Sequence, residues 1–286
     1  MKVWDELKVH YKMGGFEQKL IYWNVGVFLL SLVCLDFRTM KFDFPDWLVL
    51  SSNGRYVLTH PWTLLTYQFL HNGFFHLLFN MIVLNFTGRI FLTYFTQRQL
   101  LGTYLLGGIF AGLVFMTVYA LMARDGAVIG ASGAIMAILF ATTTYAPQMT
   151  IRLLLIGYVK LWHFTGVVVL LDLLYLMAEN TGGHIAHLAG ALFGFVYVKL
   201  LLQGIDLSKA VSFIFDGLAN LGGQKKTPFK KVHRNPVRQA GKTSSKIVTK
   251  DKTQQQIDDI LDKISKSGYD SLTAAEKEFL FKAGKE

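Results

Sequence analysis

Six long apolar runs fill the first two thirds of the chain, at about 19–36, 72–93, 99–122, 128–146, 161–178 and 183–203. A hydrocarbon core needs about 20 helical residues to cross it, so each run is near the length of one membrane span. The pattern predicts an all-α polytopic membrane protein, a six-transmembrane-helix bundle over 19–203 that follows a cytoplasmic N-terminus over 1–18. The first run is too long for a cleavable signal peptide, and no small-residue cleavage site follows it. Several runs contain His, Asn or Asp, which a pure lipid anchor would avoid. Such groups are expected to face protein or a water-filled cavity, because an unpaired polar group in hydrocarbon is expensive.

Two apolar stretches fit no span. Residues 37–71 contain FPDWLVL and RYVLTHPWTLLTYQFLH, too apolar to float in water, and are expected in the outer interface with Trp47 and Trp62 at headgroup depth. Residues 150–160, TIRLLLIGYVK, are too short to cross and read as an interfacial stretch leading into the fifth span.

Charge sets the orientation. Lys2, Lys8, Lys12 and Lys19 precede the first run, Arg89 and Arg98 follow the second, and Arg152 follows the fourth. Lys225, Lys226, Lys230, Lys231, Arg234 and Arg238 follow the sixth. With six spans all of these share one side, which places both termini in the cytoplasm, with a bacterial inner membrane as the expected location. The net charge of +10 is explained by this asymmetry. Nucleic acid is not an expected partner, since no aromatic interleaving accompanies the basic residues. Beyond the bundle, 204–223 reads as an interfacial helix, 222–254 as a basic disordered linker, and 255–286 as a small helical hairpin with a possible protein partner. In that hairpin Thr273 and Glu276 form a capping box. The single cysteine, Cys34, allows no intramolecular disulfide.

The candidate chemistry lies in VIGASGAIMAI, HNGFFHLLFN and GGHIAHLAGALFG. His76 and Asn80 are four residues apart and share a helix face, with His71 a turn earlier. His187 opens the sixth span, and Gly190 and Gly194 below it make a small-xxx-small pair. Gly130 and Gly133 bracket Ser132. Glycines at both places would let the fourth and sixth helices touch backbone to backbone and bring Ser132 to His187. A serine within reach of a histidine base is the requirement for a nucleophile, and His76 and Asn80 can donate to an oxyanion. Taken alone, Ser132 would read as helix packing, and His71 and His184 as structural. Asp172 reads as a helix-packing partner away from the site.

G-x-S-G at 130–133, H-x-x-x-x-H-x-x-x-N at 71–80 and A-H-x-x-G-x-x-x-G at 186–194 resemble the rhomboid intramembrane serine proteases. The resemblance covers about 60–200. It implies a rhomboid-like bundle that cleaves transmembrane protein substrates within the lipid bilayer, near the outer face, with no cofactor and no metal. It implies a Ser132–His187 dyad without a third acidic member, and an oxyanion site of His76, Asn80 and the Ser132 backbone N–H. It makes the first loop a membrane-embedded one and the fifth span a lateral gate. Two positions depart from the family: Thr63 follows Trp62 where arginine is usual, and Met136 stands where many bacterial members carry tyrosine. Met136 could still pack on the imidazole. The competing readings are a membrane metal or proton site, a transporter, and a non-catalytic membrane chaperone.

Overall fold

A computed structural model describes residues 3–153, 156–176, 180–221 and 247–283. The chain forms two compact units, residues 1–225 and 226–286.

In the first unit, α1 (Val3–Met13) and α2 (Phe16–Ser31) precede an irregular segment. That segment holds β1 (Leu35–Asp36), β2 (Lys41–Phe42), β3 (Leu50–Ser51), α3 (Gly54–Thr59) and α4 (Thr63–Thr66). There follow α5 (Phe74–Phe91), α6 (Gln97–Leu121), β4 (Ala127–Val128), α7 (Ser132–Tyr145), β5 (Thr150–Leu153), β6 (Gly157–Lys160), α8 (Leu161–Tyr175), α9 (Thr181–Leu202) and α10 (Ser208–Leu221). Each of the six apolar runs coincides with a helix. Among the described residues three of them, α5, α6 and α9, are long and apolar enough to cross a membrane, while α7 and α8 are shorter apolar helices.

α7 is apolar on all sides and buried from Gly133 to Leu139, so it sits in the middle of the bundle rather than on its surface. Its neighbours are fixed by glycine. A Cβ on Gly190 would collide with the carbonyl oxygen of Gly133, and one on Gly194 with that of Ala137. A Cβ on Gly133 would lie 2.9 Å from the Ala111 Cβ and 3.2 Å from the Ala186 oxygen. α7 therefore meets α9 backbone to backbone along the small-xxx-small pair, and α6 on a second side. Leu84, Leu100, Tyr104, Ile138 and Tyr197 fill the core around this seam.

The first loop is tied down, not adrift. Its strand β3 pairs with β4, Leu50 opposite Val128. Trp62 Nε1 donates to the Trp47 oxygen at 2.7 Å and Thr66 Oγ1 to the Leu48 oxygen at 2.7 Å. The fully buried Thr63 caps its own turn, its hydroxyl donating to the His60 oxygen at 2.8 Å. Within 150–160, residues 150–153 and 157–160 take a form that the apolar pattern did not specify. They pair as a β-hairpin, Ile151 opposite Val159, because the β-branched and aromatic residues on either side of Gly157 suit a pleated pair.

At the other end, α10 docks on α6 where Gly102 leaves no room for more than the Ser208 side chain. Asp206 collects Ser208 N–H at 2.9 Å, Ser208 hydroxyl at 2.6 Å, Tyr197 hydroxyl at 3.2 Å and the Gln99 amide at 3.2 Å. Partial burial pushes its carboxyl up, and the Ser208, Gln99 and Tyr197 hydrogen bonds outweigh that and hold it below its ordinary value.

The second unit is a hairpin of α11 (Ile247–Ser267) and α12 (Ala274–Ala283). α11 begins at Ile247, inside what reads by composition as a linker to 254; residues 222–246 of that linker lie outside the described residues. Ile260 and Leu272 are buried, and Leu261 is half exposed. The capping box is present: Glu276 accepts from the Thr273 N–H at 2.7 Å and from Lys263 Nζ at 2.9 Å. The Thr273 N–H, then Lys263, hold the Glu276 carboxyl at about 2.

Two outcomes follow from this packing. Gly190→Val is expected to destabilise the bundle by about 3 kcal/mol or more, because neither backbone can retreat. Gly166→Ala in α8, where nothing lies within 4 Å, should gain up to about 1 kcal/mol from helix propensity. Thermal unfolding of both proteins in detergent checks the pair. For the hairpin, Glu276 has a folded-state pKa below its unfolded value of 4.5, so its contribution is complete above that value and is lost as pH falls towards about 2. Hydrogen-exchange protection across 257–282 in the whole chain, taken against the intrinsic rate at each pH, should fall over this window, whereas a Glu276→Gln variant should start less protected and change less.

Candidate active site

The turn before α7 is set by Tyr67. Its hydroxyl donates to the Gly108 oxygen of α6 at 2.6 Å, and its own carbonyl accepts the Gly130 N–H at 2.9 Å. Gly130 has a φ of +125°, a backbone region that L side chains rarely adopt. A Cβ there would stand 3.1 Å from both Cε1 and Nε2 of His76 and 3.7 Å from Ser132 Oγ. Gly130 thus clears the space in which the His76 ring approaches the serine. Ser132 is the first residue of α7, so the N–H groups of that turn have no partner within the helix.

Ser132, Asn80, Met136, Asp172 and His187 line one cavity of 320 Å³, whose other walls are apolar side chains of α5, α7 and α8 such as Phe79, Val83, Phe164 and Leu171. Four helices therefore deliver polar groups to a single pocket. Met136 is buried in the same wall, on the side expected of it.

The hydrogen bonds settle which atoms are free. The Asn72 N–H donates to His76 Nδ1 at 3.2 Å, so the neutral ring carries its proton on Nε2, the atom beside Gly130. Asn80 Nδ2 donates to the His76 oxygen at 2.8 Å, which uses one of its two amide hydrogens. His76 lines a different, more polar cavity with Asn72, Val128, Ile129 and Asn180. His71 does not reach either cavity. It is fully buried, its ring 5.1 Å from that of His76, with Nδ1 donating to the Phe69 oxygen at 3.3 Å and Nε2 unpartnered. It braces His76 from behind.

The structure corrects the expectation for one residue. Asp172 is not remote from the site. Its Oδ1 accepts from His187 Nδ1 at 2.9 Å and from His184 Nδ1 at 2.7 Å, and only 5% of the residue is exposed. His184, which reads as structural, is the second partner of the same oxygen, and its ring stacks 6.0 Å from Tyr175. The expectation of a histidine without an acidic partner is overturned by this contact. A signal for it was present. Asp172 is the one acid in α8, and an intramembrane carboxylate demands donors. The histidines that supply them lie one turn apart in the next helix, and only the packing of α9 against α8 decides that they face it.

A rhomboid domain model matches residues 58–204, about half of the chain. The chain belongs to the rhomboid family. The presenilin-associated rhomboid-like protein, mitochondrial, is 32% identical in both Homo sapiens and Bos taurus over 184 residues, which is 61% of this chain and 45% of the relative. Presenilin-associated rhomboid-like protein A, mitochondrial, of Danio rerio is 31% identical over 134 residues, 46% of this chain and 35% of the relative. The chain therefore spans about half the length of the curated relatives it matches. A family of unknown function, DUF6576, matches 248–283, the helical hairpin. Membership of the rhomboid family and the apolar helices make this an integral membrane protein. The relatives are mitochondrial proteins and lend no support to a bacterial inner membrane.

Gly130 carries the rhomboid serine turn, and its replacement tests that geometry. Gly130→Ala is expected to cost about 1–3 kcal/mol, read as a lowered thermal midpoint, because alanine must hold a positive φ beside the His76 ring.

Proposed function

We propose that this rhomboid-family chain is an intramembrane serine endopeptidase acting on transmembrane protein substrates. The observation that carries the reading is the hydrogen bond from His187 Nδ1 to the buried Asp172, made in the cavity that Ser132 also lines. With the proton of neutral His187 held on Nδ1, its Nε2 is left as an acceptor, the state a general base requires.

In this mechanism Ser132 Oγ attacks the scissile carbonyl carbon while its proton passes to His187 Nε2. The carbonyl oxygen becomes an oxyanion, received by His76 Nε2–H, the second Asn80 amide hydrogen and the N–H of Ser132. The C–N bond then breaks as His187 returns the proton to the leaving amine, which gives an acyl-serine. Water attacks that ester, its proton going to His187 and then to Ser132 Oγ as the acid is released. Asp172 takes no proton. It orients the imidazole and stabilises the imidazolium that forms twice per turnover.

The setting supports a membrane-embedded reaction. We place six spans, α2 and α5 to α9, with both termini on one side, as the positive residues require. A 14-residue α7 is about 21 Å long against a hydrocarbon core of about 30 Å, so Ser132 at its start lies below the outer surface. The apolar wall shared by α5 and α8 gives a substrate helix an entry from lipid, and the polar cavity that His76 lines gives water a place near the site.

Ser132→Ala and His187→Ala are each expected to lower cleavage of a model transmembrane substrate by at least about 10³-fold while the protein stays folded. A folded Ser132→Ala protein that still cleaves would overturn the assignment. Asp172→Asn should lower kcat by about 10²–10⁴-fold with KM little changed, and Asp172→Glu should recover part of the loss. Equal effects on kcat and KM, without rescue by glutamate, would give Asp172 a structural role alone.

A further inference from the structure

We propose that Asp172, His184 and His187 form a binding site for a divalent transition cation of the zinc class, and that occupancy of this site switches the protease off. The inhibitory half rests on the protease reading; the site itself does not.

One ligand atom from each of the three residues lies within 4.8 Å of the other two. Two imidazole nitrogens and one carboxylate oxygen are the donor set that zinc prefers, with a fourth position open to water. The two Nδ1 atoms converge on one oxygen, at 2.7 and 2.9 Å, so a cation drawn between them needs only small movements to reach metal–ligand distances of about 2.0–2.2 Å. The other carboxylate oxygen, Oδ2, is buried and unpartnered. A carboxylate 95% buried with one oxygen unsatisfied is costly as it stands, and a cation would satisfy it. The histidine side chains retain 19% and 26% of their exposure, so the cluster is not sealed inside the protein. A sequence search for paired metal ligands on one helix passes over this set, because its carboxylate comes from α8 and its histidines from α9.

The link to catalysis is a matter of tautomers. In the free site each neutral ring carries its single proton on Nδ1 and donates it to Asp172. A cation on Nδ1 takes the lone pair there, and the proton moves to Nε2. The rings stay neutral and no proton need leave the protein. His187 with a proton on Nε2 has no lone pair to accept from Ser132 Oγ, and Asp172 is neutralised as its partner. Metal binding and general-base action therefore exclude each other at the same imidazole.

Two measurements on the full-length protein in detergent test this. First, metal-free Ser132→Ala protein is titrated with cobalt(II) and its visible absorption followed. One equivalent per chain should give the intense bands of four- or five-coordinate cobalt. They should be lost or weakened at least about 10-fold in affinity when His184→Ala or His184→Gln is added. Glutamine keeps a donor for Asp172 and guards against a variant that merely misfolds. Second, zinc should inhibit cleavage by the otherwise unaltered chain, and EDTA should restore it. Each His184 variant, compared with its own zinc-free rate, should need at least about 10-fold more zinc. Cobalt bands indifferent to His184 would overturn the site. Tight cobalt binding with no zinc inhibition would overturn the switch. If the zinc-free chain cleaves nothing, the protease reading fails while the cobalt titration still decides the site.

Discussion

Everything in the site hangs on the seam between α7 and α9. Gly190 meets the carbonyl of Gly133 and Gly194 that of Ala137, with no side chain between them. Small residues at such a seam replace the hydrophobic driving force, which is absent between helices in lipid, by close van der Waals contact. The consequence is positional. Ser132 sits one residue before Gly133, and His187 one turn before Gly190, so the contact that joins the helices also brings the serine and the histidine to one pocket.

A second constraint is the cost of a buried carboxylate. Asp172 stabilises nothing by itself in an apolar helix; alone it would favour the neutral acid or water. Bonded to two imidazoles, it fixes which nitrogen of each ring carries a proton. The same arithmetic operates at His76, where one backbone N–H from Asn72 leaves Nε2 as the donor. Orientation of both histidines is thus set by groups that never touch a substrate, the usual way in which supporting hydrogen bonds govern reacting ones. Asp172 also makes the site open to competition, because the atom that holds a proton for catalysis is one a metal ion can hold as well.

The peripheral elements serve this centre. Tyr67 spans α6 and the Gly130 turn, so the first loop is coupled to the serine despite its apolar, irregular sequence. Thr63, in the place where the family usually has arginine, closes its own turn through His60, while Trp62 and Thr66 fasten the loop to Trp47 and Leu48.

The apolar runs determined by themselves that six helices form and roughly where, since burial in lipid rewards length and composition and both are local properties. Glycine spacing likewise marked the α7–α9 seam, and the residues Ser132, His187, His76 and Asn80 were legible as a set. Positive charge was enough to argue orientation. Tertiary structure alone decided what each polar group bonds. Asp172 read as remote and His184 had no named partner, because their pairing depends on how α8 and α9 are rotated against each other, which hydropathy does not encode. The 150–160 hairpin was missed for a related reason: a short apolar run satisfies a strand and an interfacial segment equally until a partner strand is in place. Proton placement on His76 and His187 was beyond any pattern of residues, since a tautomer is chosen by the neighbour at 3 Å, and that neighbour is known only when the chain has folded.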